Sequence, residues 1–127
     1  MISYTIGKVK NKRTEQFVYY ARPYYVGTIK QDQLCQRIAE KTTLTRADVL
    51  CALTALEASI AEKLANTGIV RLGHLGNFKT YIRSKGGQAV KKEVGKKDIS
   101  HIRANFLQSA ELKKALKDNA KFRLVQL

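Results

Sequence analysis

The chain has 127 residues, with 24 Lys and Arg against 10 Asp and Glu, so its formal charge is +14. This length fits a single domain, and a hydrophobic content of 44% at regular spacing excludes a disordered polybasic tail. The sequence has no apolar run of about 18 residues, and its first ten residues lack the apolar core of a secretory signal. We therefore expect a soluble, folded, intracellular protein with a polyanionic partner and no membrane association.

The positive charge is concentrated in two segments of the chain. Residues 1–30 carry six basic side chains and one acidic side chain, and residues 79–103 carry eight basic and two acidic. Between them, residues 31–78 hold five of each sign. Solubility alone does not require such segregation, so the two basic segments are the candidates for contact with a polyanion.

The start of the chain predicts a β-hairpin. Residues 2–9 and 16–29 are rich in β-branched and aromatic residues, and a polar loop separates them. Pro23 places the second strand at a sheet edge or a bulge. The pairs Tyr19–Tyr20 and Tyr24–Tyr25 are of a type that stacks on bases. Because neighbouring strand residues face opposite ways, we expect half of each pair to serve core or hairpin packing.

Two helices are predicted next. Apolar residues at helical spacing place the first over residues 31–41. Thr45, with Asp48 three positions later, caps the start of the second, which is expected to run to about Asn66 and to end at Gly68. The apolar stripe of this second helix contains Val49, Leu50, Leu53, Leu56, Ile60 and Leu64. A stripe this broad predicts burial against a second copy of the chain as well as against its own sheet.

The remaining elements are strands and one short helix. Strands are predicted at residues 69–72 and 77–84, and the glycines of the Gly73–Gly76 segment permit a tight turn with positive φ. Ser109 is placed to cap a short helix. The final segment, residues 122–127, is predicted to form a last strand that pairs with the N-terminal hairpin.

Residues 79–103 predict a two-stranded ribbon, here called the arm, whose polar tip lacks a core and is expected to be mobile until it is bound. Because successive side chains of a strand point to opposite sides, each strand of the arm has two faces. One face holds Lys79, Tyr81, Arg83 and Lys85 on the outgoing strand and Lys97, Ile99, His101 and Arg103 on the return strand. The other holds Phe78, Thr80 and Ile82 with Ile102, Ala104 and Phe106. A basic face opposite an apolar face suits a nucleic-acid duplex groove.

Three segments occur in a characteristic order: IAEKTTLTRADV, then VRLGHLGNF with the pattern V-x-L-G-x-L-G-x-F, then SAELKKAL from Ser109. With these motifs, residues from about 31 to 117 resemble the HU/IHF family of bacterial histone-like DNA-binding proteins. The added hairpin and last strand look like those of the longer HU-related proteins of Bacteroides-type bacteria.

The resemblance implies an α+β fold and an intertwined homodimer. Each chain would supply a helical-hairpin body and a three-stranded sheet extended by the arm. Residues 1–30 would form the hairpin extension, and residues 31–127 the HU-like domain. The implied function is architectural, largely sequence-independent binding of double-stranded DNA in the cytoplasmic bacterial nucleoid. The two arms would embrace the minor groove and bend or condense the DNA.

The basic side chains of the arm are the predicted contacts to the DNA backbone, with Tyr81 packing along the groove. They are Lys79, Arg83, Lys85, Lys91, Lys92, Lys96, Lys97 and Arg103. Family members usually carry a proline near the arm tip, but residues 88–92 contain none. Val90 is the sizeable apolar side chain there for insertion between base pairs, so we predict weaker kinking than in proline-bearing relatives.

Catalytic signals are poor. His74 and His101 have no evident nucleophile or orienting acid, and Cys35 and Cys51 are expected on apolar helix faces without a zinc spacing. We therefore expect no enzyme activity, no metal, no cofactor and no small-molecule substrate. One open alternative is a structural RNA-binding or ribosome-associated protein. The role of the N-terminal hairpin is also open. The hairpin would either mediate protein assembly or cover a further stretch of DNA.

Overall fold

The computed structural model of the chain describes residues 1–126 and contains three α-helices and two three-stranded sheets. The elements in chain order are β1 (Ile2–Lys10), β2 (Phe17–Tyr24), α1 (Gln31–Lys41), α2 (Arg46–Asn66), β3 (Ile69–Leu72), β4 (Gly76–Ser84), β5 (Ile99–Gln108), α3 (Ala110–Asn119) and β6 (Phe122–Leu124). The predicted α+β class is confirmed. Leu127, the end of the predicted last strand, lies outside the described residues.

The helical hairpin begins and ends where the sequence predicted. The Asp48 amide donates to the Thr45 hydroxyl at 3.1 Å, and the Thr45 amide donates to the Asp48 carboxylate at 3.2 Å. This reciprocal pair satisfies amides that have no partner within the first turn of α2. The helix ends before Gly68, whose φ of 79° is a conformation that glycine adopts without strain. No helix within residues 1–126 has the length and apolar content that a membrane crossing requires.

The sheet β3-β4-β5 is antiparallel and is attached to the end of α2. Thr80 on β4 makes the connection, because its hydroxyl donates to the Leu64 carbonyl at 2.9 Å and its amide donates to the Gly68 carbonyl at 2.8 Å. The turn between β3 and β4 has the predicted positive φ at Gly73 (54°) and Gly76 (151°). The arm therefore begins from a base that is hydrogen-bonded to the helical body.

The other sheet joins the two ends of the chain. Its order is β2-β1-β6, with β2 antiparallel and β6 parallel to β1, so the predicted pairing of the last strand with the N-terminal hairpin is confirmed. The strand β2 ends at Tyr24, earlier than predicted, and residues 25–30 lead to α1 as irregular chain. The ring of Tyr20 lies over Gly7, which is the hairpin packing expected for half of that tyrosine pair.

Few side chains are buried within a single chain. Cys35 and Val49 are the buried hydrophobic residues among those described. Leu50 and Leu56 of the α2 stripe are exposed. Cys51, expected on a packed apolar face, is exposed as well, because none of residues 1–126 covers its side chain. The chain exposes 11384 Å², whereas a compact monomer of this mass is expected to expose about 6,800 Å².

We predict that Gly76→Ala destabilises the fold by about 2–4 kcal/mol. A Cβ at this position would clash with the Leu107 carbonyl oxygen, on a backbone whose φ favours glycine. Urea unfolding measures the change. Gly87→Ala is the matched control, because a Cβ there meets nothing within 4 Å and its backbone is ordinary. Equal stability of the two variants would show that the close approach of β4 and β5 does not require a glycine.

Candidate nucleic-acid interface

The arm is built from β4 and β5, which pair antiparallel along almost their whole length. Tyr81 lies opposite Arg103, and Arg83 lies opposite His101. Because directly paired residues project to the same side of a sheet, the register brings Lys79, Tyr81, Arg83, His101 and Arg103 to one side, which we call the basic face. The predicted grouping of these five residues is confirmed.

The opposite side of the arm is apolar. Ile82 pairs with Ile102, Thr80 with Ala104 and Phe78 with Phe106. At the base of the arm the two phenylalanine rings pack with centroids 5.2 Å apart. Farther out, Ile82 and Ile102 are exposed, so the outer arm presents apolar side chains that this chain leaves uncovered.

A β-bulge changes the pattern near the tip. The register shifts between Arg83 and Ser84, so Ser84 pairs with Ile99 and Ser100 is the extra residue. A bulge breaks the two-residue alternation, and the prediction that Ile99 continues the basic face is therefore wrong. Lys97 also departs from the prediction, since it lies in a short 3₁₀ turn and not on the return strand.

Asp98 organises the tip. Its carboxylate accepts from the Gly95 amide at 2.9 Å and from the Gln88 side chain at 2.7 Å, and its carbonyl accepts from the Lys85 amide at 2.7 Å. These hydrogen bonds favour the ionised form, so the Gly95 amide first, and Gln88 second, lower the pKa of Asp98. In the sequence Asp98 is distinguished only as one of two acids in the arm, because its hydrogen-bond partners are not adjacent to it in the chain.

Five of the other predicted contacts lie in the tip segment, between β4 and β5. Lys85 follows β4 directly, Lys91 and Lys92 begin one 3₁₀ turn (Lys91–Glu93), and Lys96 and Lys97 begin a second (Lys96–Asp98). All five side chains are exposed. Both ion pairs found within residues 1–126 lie outside the arm. The cationic groups of the tip are therefore open to an external anion.

The tip carries two exposed apolar side chains. Val90 is 48% exposed and Val94 is 58% exposed. The sequence predicts only Val90, because the proline of family members corresponds to residues 88–92 and Val94 lies outside that stretch. Val94 lies between the two 3₁₀ turns and is more exposed than Val90, so the structure adds it as a candidate for contact with bases.

Neither metal binding nor catalysis by a histidine has much support in the part of the chain that the structure describes. Residues 1–126 contain no group of three His, Cys, Asp or Glu side chains that could hold a metal ion. His74 lies 3.8 Å from the carboxylate of Glu111. His101 lies beside the Ser100 hydroxyl at 2.9 Å. Both histidines belong to surface polar pairs.

Comparison with known proteins agrees with this arrangement. Residues 1–123 match a family model described as an HU domain fused to a winged helix-turn-helix, Ig or glycine-rich motif. No curated protein matches the sequence. The fold is similar to the crystal structure of a "Putative bacterial DNA binding protein" from Bacteroides vulgatus ATCC 8482, with a TM-score of 0.65 and 18% identity. That similarity covers 97% of this chain and 47% of the other, so the chain spans about half of its neighbour's length.

We predict that acidification disorders the arm tip only below the usual aspartate pKa of 3.8. Because the pKa of Asp98 is lowered in the folded chain, its stabilising contribution is complete above pH 3.8 and is lost as the pH falls through the folded value. The Gly95 amide resonance, followed by NMR, should move with a midpoint below 3.8. In the Asp98→Asn variant the Gly95 amide resonance should not move in this pH range. A wild-type midpoint at or above 3.8 would contradict the assignment.

Proposed function

This chain belongs to the HU-HIG family, in which an HU domain is fused to other motifs, and we propose that it is an architectural DNA-binding protein of the bacterial nucleoid. The predicted resemblance to HU proteins is confirmed, and the match includes the N-terminal hairpin as well as residues 31–117. The proposed partner is double-stranded DNA, bound with little sequence preference.

The basic face of the arm is the observation that carries this proposal. It combines Lys79, Arg83 and Arg103 with Tyr81, and the Lys79 ammonium lies 5.6 Å from the centroid of the Tyr81 ring. The tip adds five exposed lysines. Arginine and lysine side chains neutralise phosphates and release counterions, which gives affinity without reading bases. The family favours the minor groove as the site of the arm, because HU proteins bind there, and base readout in that groove is degenerate.

We propose that the DNA-binding unit is a homodimer. The exposed Leu50 and Leu56 of α2, together with Phe106 and Leu107 of β5, leave apolar surface that one chain does not cover. Obligate homodimer interfaces bury about 2,000–5,000 Å² in total, or about 1,000–2,500 Å² per chain, and the exposed area of this chain exceeds that of a compact monomer by more than this. Two chains would supply two arms, and the arms would act as a clamp on one duplex.

The family and the structural neighbour favour a DNA-binding role over an enzymatic one. The arm also has the composition of a phosphate-binding surface and not of a reaction centre: it is cationic, exposed and without a paired acid and base. We propose the division into a hairpin extension (1–30) and an HU-like domain (31–127) as the functional organisation of the chain.

We predict that Arg83→Gln combined with Arg103→Gln lowers the salt dependence of duplex binding. Wild-type affinity should fall by about 10³- to 10⁵-fold between about 50 and 200 mM salt, as expected for six to ten phosphate contacts. The double variant removes two contacts per chain, so the slope of log K against log salt should fall by about 3.6 in a dimer. Fluorescence anisotropy with a labelled duplex measures this slope.

The control for this experiment is Lys41→Gln with Lys63→Gln, which makes the same charge change in the neutral body. Its slope should equal that of the wild type. Equal slopes for the arm variant and the control would contradict the proposed contacts. Displacement of the duplex by an equal concentration of structured RNA would favour the RNA-binding alternative.

We predict that the protein kinks DNA less sharply than proline-bearing HU relatives, and that Val90→Ala reduces the bend further. Insertion of an apolar wedge separates two base pairs, and a smaller side chain separates them less. Energy transfer across a duplex of about 25 base pairs measures the bend. Val94→Ala is the matched variant. A bend equal to that of proline-bearing relatives would contradict the first statement, and a loss of bend in Val94→Ala alone would assign the insertion to Val94.

A further inference from the structure

The N-terminal hairpin carries a second basic surface, on the sheet that does not contain the arm. In its register Lys8 pairs with Tyr19 and Lys10 pairs with Phe17. Paired residues share a face, so two cationic and two aromatic side chains lie together at the loop end of the hairpin. We call these four residues the hairpin platform, and we propose that it binds single-stranded nucleic acid.

The aromatic side chains of the platform are exposed, and one of them already contacts a lysine. Phe17 is 52% exposed and Tyr19 is 66% exposed. The Lys8 ammonium lies 4.8 Å from the centroid of the Phe17 ring, which is a cation–π distance. Tyr20 differs, because its ring packs across Gly7 on the other face of the hairpin. The two adjacent tyrosines therefore have different roles. Tyr20 packs within the hairpin, and Tyr19 lies on the opposite face with Lys8 and Lys10.

The charge around the platform suits a phosphate backbone. Lys12 and Arg13 lie in the loop that joins the two strands, and both are exposed. Asn11 shapes this loop, since its side chain accepts from the Arg13 amide at 3.0 Å and its carbonyl accepts from the Glu15 amide at 2.8 Å. Glu15 is the only acid in residues 1–30. A strand crossing the platform would therefore meet cations on the platform and in the loop.

The spacing of the rings favours an unpaired strand over a duplex. Phe17 and Tyr19 are two residues apart on one strand, so their attachment points are separated by about 6.8 Å. Bases stacked within a duplex strand are about 3.4 Å apart, and their faces are covered by their neighbours. Separated bases of a single strand can each stack on an aromatic ring, and this contact tolerates any sequence.

A second copy of this chain is the less favoured occupant. Facing platforms would bring Lys8 and Lys10 of both copies into one contact, and no carboxylate lies on the platform to pair with them. Like charges brought close together in a protein contact oppose association. A polyanion with exposed base faces would pair its phosphates with the lysines and stack its bases on the aromatic rings.

The test uses the full chain and a labelled oligothymidylate of about 16 nucleotides, with the matching oligouridylate as a second probe. Phe17→Leu combined with Tyr19→Leu keeps large apolar side chains in the strand but removes both rings. This variant should bind the probes about 5- to 100-fold more weakly than the wild type. Tyr25→Leu is the control, because Tyr25 is 86% exposed but lies outside the sheet, and its affinity should be unchanged.

A second variant tests the charges. Lys8→Gln with Lys10→Gln should lower the slope of log K against log salt for the single strand by about 1.4 per platform. Light scattering monitors the oligomeric state of every variant. Unchanged affinity after removal of both rings would overturn the proposal, and so would a change of oligomeric state without a change of affinity, which would assign the platform to a second copy.

The platform and the arm are tested separately. In the background of Arg83→Gln with Arg103→Gln, duplex affinity falls if the arm binds DNA, but the effect of removing the platform rings on the single-strand probe should remain. A loss of that ring effect in the arm variant would show that the single strand binds at the arm, and would overturn the platform as an independent site.

Discussion

The structure depends on one constraint, which is that a single chain does not bury its own apolar surface. Only Cys35 and Val49 among the described hydrophobic residues are buried, although helix α2 has a broad apolar stripe. Hydrophobic burial is the main favourable term in folding, and the fully buried hydrophobic residues of a single chain are few. The proposed homodimer would add to that burial, and it places two arms on one assembly.

The arm is attached to the body at its base and ends in a polar tip. At the base, Thr80 is hydrogen-bonded to the end of α2, and the rings of Phe78 and Phe106 pack against each other. Gly76 allows β4 to approach β5 closely. The tip has no apolar core, and Asp98 connects its segments by hydrogen bonds. One buried carboxylate thus organises a loop whose exposed side chains are mostly cationic.

Much of this fold could be predicted from local patterns in the sequence. The Thr45 cap, the glycine turn and the alternation along the arm as far as Arg83 and His101 depend on residues close together in the chain, and all three are confirmed. The bulge at Ser100 could not be predicted, because no composition marks it and it moves Ile99 out of the predicted face. The hydrogen bonds of Asp98 and the exposure of Cys51 depend on tertiary packing, so residue spacing did not show them.

The central claim is that two copies of this chain hold one DNA duplex between their basic arms. A crystal structure of the chain with duplex DNA tests it most directly. We predict two chains per duplex, with the α2 stripes in mutual contact and both arms in the minor groove, where Arg83 and Arg103 lie at phosphates. A single chain on the duplex, or a duplex bound away from the arms, would contradict it.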